Sequence, residues 1–324
     1  MKDIYGRTID YMRISVTDRC NLRCRYCMPE DIMPVGHTDI LSYEELLEIC
    51  ESAVTIGISK FKITGGEPLV RKGAVGFIER LKQMKGVSQV TLTSNGLLLN
   101  PYLERLKDAG IDGINISLDT LDEKKYKSIT GKTGVKTVLS AVRQSAQMGL
   151  NTKLNCVIMK GINDDEILDL LEIGRRDPVD IRFIEMMPIG FGKQFTGIGA
   201  DEIQSLLRER YPEISQTDQV RGNGPAAYFR IPGFLGAVGF IDAIHCSFCG
   251  ECNRIRLTSE GFLKPCLYYG RGISLREEIR SGISKDKLSQ LICRTIMDKP
   301  EKHHFTERDP ESKADSRKMS QIGG

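Results

Sequence analysis

Nowhere does this sequence run apolar for long enough to cross a bilayer. Its longest weakly polar stretch, IPGFLGAVGFIDAI (231–244), is broken by proline and glycine and carries Asp242. It falls well short of the ~20 residues a spanning helix needs. The amino-terminal MKDIYGRTID holds no apolar signal-peptide core, so a cytoplasmic protein without membrane attachment is expected. Charge of one sign is equally scarce: 46 Lys and Arg against 43 Asp and Glu leave a formal charge of +3. That balance argues against a nucleic-acid partner, although a local basic cluster can still hold a small polyanion. Tryptophan is absent. In other respects the composition is that of an ordinary globular chain, long enough for about two domains or one large α/β barrel.

Histidine is sparse too, with four in 324 residues, and this bears on the cysteines. Ten cysteines in a chain without secretory features are not read as a disulfide frame. Cys20, Cys24 and Cys27 form one group, in CNLRCRYC; Cys246, Cys249 and Cys252 form another, with Cys266 following. Cys50, Cys156 and Cys293 stand alone in apolar surroundings and read as buried free thiols. Three thiolates within eight residues can converge on one soft metal centre. A structural zinc site would want four protein ligands with paired C-x-x-C spacing. Here the spacing is uneven and His37 lies ten residues beyond Cys27. A cubane cluster held by three thiolates would keep one iron open for a ligand, but zinc stays open at this point.

The first two-thirds of the chain repeats a short β-branched run, a turn and a helix with apolar residues three and four apart. Strands are expected at 12–17, 60–64, 89–93, 113–118, 153–159 and 181–187, and helices at 42–57, 75–86 and 164–176 among others. Alternation without hairpin signals argues for a parallel sheet with right-handed crossovers. Six units fit an open or partial barrel, although a doubly wound sheet has the same periodicity. TDRC, GGEP, SNG and DT follow the first four strands, where parallel α/β proteins build their sites. In TGGEP (64–68), Gly65 and Gly66 let a ligand approach the backbone, and Glu67 offers a carboxylate to an ammonium group. The plain alternative is a strand-to-helix turn with Pro68 opening the helix. After about 218 the pattern changes to short strands at 226–231, 236–241 and 254–258 with glycine-rich turns, and helices return after 273. The expected division is 1–218, a smaller domain at 219–297, and a mobile tail at 298–324 with six acidic and six basic residues.

C-x3-C-x2-C after the first strand, with Tyr26 before its last cysteine and GGEP after the second strand, resembles the radical S-adenosylmethionine (SAM) superfamily. The second group reads HCSFCGECNRIRLTSEGFLKPC (245–266), where Cys266 has no C-x-x-C mate. Arg254 and Arg256 alternate on one strand beside it and so share a face. A pair of solvated arginines is the plain reading, and an anion clamp the functional one. The layout as a whole resembles the GTP 3′,8-cyclase family of molybdenum cofactor biosynthesis, through RISVTDRCNLRC, ITGGEPL, LTSNG, INISLDTLD, VIMKGIND, IRFIEMMP, FCGECNRIRLTSEG and the terminal IGG.

That resemblance implies an α/β fold: a partial (β/α)6 TIM-type barrel with a smaller C-terminal α+β domain carrying a second iron–sulfur cluster. It implies two 4Fe–4S clusters and SAM as cofactors, with Cys20, Cys24 and Cys27 on one cluster and Cys249, Cys252 and Cys266 on the other. Tyr26, Gly66, Glu67, Ser117 and Met187 would contact SAM. Arg13, Lys62, Thr93, Lys153, Arg182, Arg254, Ile255 and Arg256 would contact GTP. Gly323 and Gly324 would enter the active site, because residues without side chains can approach where a Cβ would clash. Cys246 departs from the pattern and is read as a bystander, with an alternative ligand to the second cluster as the other reading. The implied reaction removes the ribose 3′ hydrogen of GTP with a 5′-deoxyadenosyl radical and closes C3′ onto guanine C8. The implied partners are a reductant, the downstream cyclic pyranopterin monophosphate synthase and a second copy in a homodimer. A radical SAM peptide maturase, or a non-enzymatic iron–sulfur or zinc protein, are the alternatives.

Overall fold

The computed structural model describes residues 1–28, 32–219, 221–244, 248–305 and 314–323. Cys246 and Gly324 lie outside them. Six parallel strands form the centre: β1 (Tyr11–Ser15), β2 (Lys60–Thr64), β3 (Gln89–Ser94), β4 (Gly113–Ser117), β5 (Thr152–Ile158) and β6 (Val179–Glu185). They lie side by side in chain order. A doubly wound sheet would reverse direction partway, so the sequential order decides for the singly wound, barrel-type arrangement.

Helices α1 (Tyr43–Thr55), α2 (Ala74–Gln83), α3 (Leu103–Asp108), α4 (Glu123–Thr130), α5 (Val135–Gln147) and α6 (Ile167–Arg176) fill the crossovers, and α7 (Ala200–Arg210) follows β6. The start of α1 is set by Ser42, whose hydroxyl accepts from the Glu45 amide while the Glu45 carboxylate accepts from the Ser42 amide. The helices cover one face of the sheet. Met12 and Ile14, Phe61 and Ile63, Val90 and Leu92, Ile114 and Ile116, Leu154 and Cys156, and Ile181 and Phe183 pack beneath them, all fully buried or nearly so. Cys50 is also buried in this layer, and Cys293 is half-buried.

Beyond β6 the sheet grows at both edges. On one side β7 (Ser215–Thr217), β8 (Ala227–Arg230) and β9 (Val238–Ile241) form an antiparallel meander whose last strand runs parallel to β6. On the other, β10 (Arg254–Leu257) runs parallel to β1 and is followed by antiparallel β11 (Phe262–Lys264) and β12 (Ile273–Ser274). The strands expected to build the smaller unit thus extend the barrel sheet, giving one sheet of twelve strands. Helices α8 (Arg276–Arg280) and α9 (Lys285–Met297) come next, and α9 meets α1 through Thr55 and Ser289, 3.0 Å apart. A last turn of helix, α10 (Met319–Ile322), lies in the tail with Ser320 and Ile322 buried. Among the described residues no helix is long and apolar enough to cross a membrane.

Candidate functional site

Strand alternation puts the polar residues on the lumen side, opposite the helices. Register then makes a belt of them. Arg13 stands beside Arg256 on one flank and Lys62 on the other. Thr93 stands beside Asn115, Asn115 beside Lys153, and Asn155 beside Arg182. The belt and the loops at the carboxyl ends of the strands surround a cavity of about 320 Å³, in the size range of small-molecule sites. Arg13, Lys62, Thr93, Arg182, Arg254 and Arg256 line it. Lys153 lines a smaller adjoining space, where its ammonium donates to the Tyr228 hydroxyl at 3.1 Å and lies 3.8 Å from Asp180. Ile255 alternates the other way and is fully buried in the core, so only its backbone can serve the site.

Gathering cations inside protein is costly unless opposite charge joins them. Among the described residues no carboxylate forms an ion pair with Lys62, Arg182, Arg254 or Arg256. Desolvation, then the charges of Arg182, Arg13 and Lys153, hold the Lys62 ammonium well below its ordinary range. Lys62 keeps some surface, but that surface faces the lumen. Desolvation also lowers Arg13, to about 10, and with Arg13 and Arg254 nearby it pulls Arg256 well down. Burial and the Arg182 charge bring Lys153 to about 8. Such a cavity is built to take up an anion.

At one end of it stand Cys20, Cys24 and Cys27, on the loop that follows β1. Burial pushes the Cys24 thiol well up and, with the charge of Cys20, takes Cys27 to about 12. Thiols in this state deprotonate when a metal centre supplies positive charge. The Leu22 amide donates to Cys20 Sγ at 3.4 Å and the Asn95 side-chain amide at 3.7 Å, contacts that tune cluster sulfurs. Three thiols on one loop suit a cubane, which takes one ligand at each iron and keeps the fourth iron open.

Gly66 is required by packing: a Cβ there would lie 2.5 Å from the Arg19 carbonyl oxygen. Its amide and that of Glu67 donate to Thr17 and Arg19 at 2.7 and 2.8 Å, joining GGEP to the cysteine loop. Glu67 departs from expectation. Its carboxylate is completely buried and accepts from the Leu69 amide and Ser94 hydroxyl at 3.0 Å each and the Asn95 amide at 2.7 Å. These bonds let Glu67 brace the loops after β2 and β3, with two donors on Oε1 and one on Oε2. Burial raises it to about 7, with those hydrogen bonds opposing the rise. Tyr26, Ser117 and Met187 line the cavity. The Tyr26 hydroxyl donates to Asp119 at 2.7 Å, and Asp119 also accepts from the Val157 amide at 2.9 Å. Sequence reasoning did not single out Asp119 or Asn95, although both sit in the quoted loops.

Cys249, Cys252 and Cys266 line the same cavity beside Arg254 and Arg256. Here the electrostatics reverse. Burial alone would raise Cys252, but the positive charges of Arg254 and Lys299 outweigh it and bring the thiol down to about 6. The tail reaches the first group of cysteines and the cation belt. A Ser320 backbone hydrogen bond favours the thiolate of Cys27, and Arg256 Nη1 donates to the Gly323 carbonyl at 3.0 Å. Gly323 has φ +76°, and a Cβ on it would lie 2.8 Å from Thr64 Oγ1. Only glycine suits both constraints.

A singly wound parallel barrel with three thiols on the loop after its first strand defines a radical SAM protein. The family model described as the radical SAM superfamily matches residues 14–173, and the one described as Molybdenum Cofactor Synthesis C matches residues 179–305. The chain is 44% identical to a GTP 3′,8-cyclase of Clostridium perfringens (strain SM101 / Type A), and 43% identical to one of Alkaliphilus oremlandii (strain OhILAs), with 100% of each chain covered. The chain belongs to the GTP 3′,8-cyclase family. Among solved structures, Streptococcus suis SuiB bound to S-adenosylmethionine matches with a TM-score of 0.65 at 15% identity, over 83% of this chain and 64% of that one. SuiB bound to precursor peptide SuiA matches with a TM-score of 0.62 at 16% identity, over 96% and 76%. At such identities the likeness is one of fold.

Proposed function

We propose that this protein cyclises GTP to (8S)-3′,8-cyclo-7,8-dihydroguanosine 5′-triphosphate, the first step of molybdenum cofactor biosynthesis. The observation that carries this reading is a single cavity with a cysteine trio at each of two places and a belt of cations between them. Cys20, Cys24 and Cys27 would hold a 4Fe–4S cluster, which would supply the reducing electron for radical chemistry with SAM. A second cluster would sit on Cys249, Cys252 and Cys266.

The chain's own work is binding, orientation and exclusion. Tyr26, held by Asp119, would pack with Gly66, Ser117 and Met187 around SAM. Arg13, Lys62, Lys153, Arg182, Arg254 and Arg256 would neutralise the triphosphate and fix the nucleotide, with Thr93 offering a hydroxyl, each charged hydrogen bond contributing ~1.5–3 kcal/mol. The tail, with Gly323 against Thr64, would exclude water from the radical. A reductant, the downstream cyclic pyranopterin monophosphate synthase, a homodimer and a cytoplasmic setting complete the reading.

Anaerobic reconstitution tests it directly: about eight irons per chain and SAM- and GTP-dependent formation of the cyclised nucleotide are expected. A SAM-cleaving protein that turns over a peptide but not GTP would overturn it. A proton signature should accompany binding. Since Lys153 has a folded value of about 8 against 10.5, it disfavours folding below pH 8, and the penalty fades as pH rises toward the ordinary lysine range. A bound triphosphate restores the ammonium, so GTP should take up protons at about pH 9. Calorimetry in two buffers of different ionisation enthalpy reads this, and Lys153→Met should diminish it.

A further inference from the structure

Lys299 follows α9 and was not singled out by any motif, yet it is 3% exposed and lines the cavity beside Cys252 and Cys266. Its ammonium donates to two backbone carbonyls, Arg254 and Pro265, each at 2.8 Å. Among the described residues no carboxylate pairs with it. A lysine so deeply placed, whose hydrogen bonds go only to neutral carbonyls, needs opposite charge close by, and the cysteines beside it in the cavity are where the site can supply that charge.

The two carbonyls identify that site. Arg254 comes two residues after Cys252, and Pro265 directly precedes Cys266. One ammonium therefore ties together the two chain segments that carry these cysteines. The third segment is held in the same manner. Arg7, itself buried and paired with Asp3 at 2.6 Å, donates to the Cys249 carbonyl at 2.8 Å and to the carbonyls of Pro300 and Glu301 at 2.7 and 2.8 Å. Arg7 has a carboxylate counterion, and among the described residues Lys299 has none. A cubane on three thiolates carries net negative charge, which grows on reduction, and charge and hydrogen bonding around a cluster set its potential.

We infer that Lys299 is the positioning and charge-balancing residue of the second cluster, holding the Cys252 and Cys266 segments in register and favouring the reduced cluster. This rests on the two-cluster reading above, and its test needs no nucleotide. Wild-type protein, Lys299→Met and Lys299→Arg are reconstituted anaerobically, their iron counted, and each cluster's midpoint potential read by electron paramagnetic resonance.

If Lys299→Met keeps about eight irons, the second cluster's potential is expected to fall while the first stays put; an unmoved second potential overturns the inference. If iron is lost instead, the loss should be confined to the second cluster, leaving about four irons, and be restored by Lys299→Arg. Loss from both clusters, or failure of arginine to restore the iron or the potential, also overturns it. Wild-type protein with only about four irons would remove the two-cluster reading itself, an outcome distinct from these.

Discussion

Replacing Arg256 by methionine should weaken GTP binding and, at the same time, raise the thermal stability of the nucleotide-free protein. Arg256 is 7% exposed and stands in register with Arg13. Desolvation and the Arg13 and Arg254 charges press its guanidinium toward losing its proton. Methionine keeps most of the volume and removes the repulsion, and exchanges of strained buried charge for packed apolar groups are often stabilising. The Gly323 hydrogen bond is lost, at a cost of about 1 kcal/mol, smaller than the relief expected from removing one cation of the belt. Affinity moves the other way. Losing a charged contact to phosphate should raise the Kd roughly 10- to 150-fold, the equivalent of ~1.5–3 kcal/mol. Calorimetric binding and thermal melts of cluster-loaded protein check both signs. Unchanged affinity together with a lower melting temperature would remove Arg256 from the anion site.

Deleting Gly323 and Gly324 should abolish cyclisation while sparing iron content and SAM binding. The described tail shows why so small a change matters. Ser320 reaches Cys27 and the Gly323 carbonyl reaches Arg256, so one short segment contacts both the first cysteine trio and the cation belt. Product formation is expected to drop by at least about 100-fold, the scale of a misplaced reacting group. Gly323→Ala should lose activity too, because its Cβ would meet Thr64 Oγ1 in a left-handed backbone. Iron analysis, SAM equilibrium binding and product formation separate the effects. Full GTP-dependent turnover in the truncated protein would show that the terminal glycines are dispensable.

The six-unit repeat, the expected strands to within about two residues and the first cysteine trio were legible in the sequence; β7, β11 and β12 were not, and the second trio came from the family resemblance. Local physics writes the legible features directly: alternation marks strands, turn residues mark their ends, and soft ligands at short spacing mark a metal centre. The site residues were legible only in part. Arg13 and Lys62 sit at alternate positions of their strands, which places them on one face without saying whether it meets solvent or a lumen. That depends on the sheet curving around them, with helices on the opposite face. Glu67 looked like a free carboxylate because its three donors, at Leu69, Ser94 and Asn95, are met only when the loops after β2 and β3 come together.

By itself, then, the sequence determined the strand–helix order, the thiols and the supply of basic residues, since each depends on neighbours within one segment. Tertiary structure alone decided where the second trio stands. Because β10 adds to β1 rather than beginning a separate sheet, Cys252 and Cys266 come to the cavity that the first trio already occupies. The same pairing sets Arg256 beside Arg13, and the end of α9 brings the Lys299 ammonium between the Arg254 and Pro265 carbonyls. The β1–β10 pairing joins residues 243 positions apart (Arg13 and Arg256, 256 − 13), a distance over which no local pattern carries information.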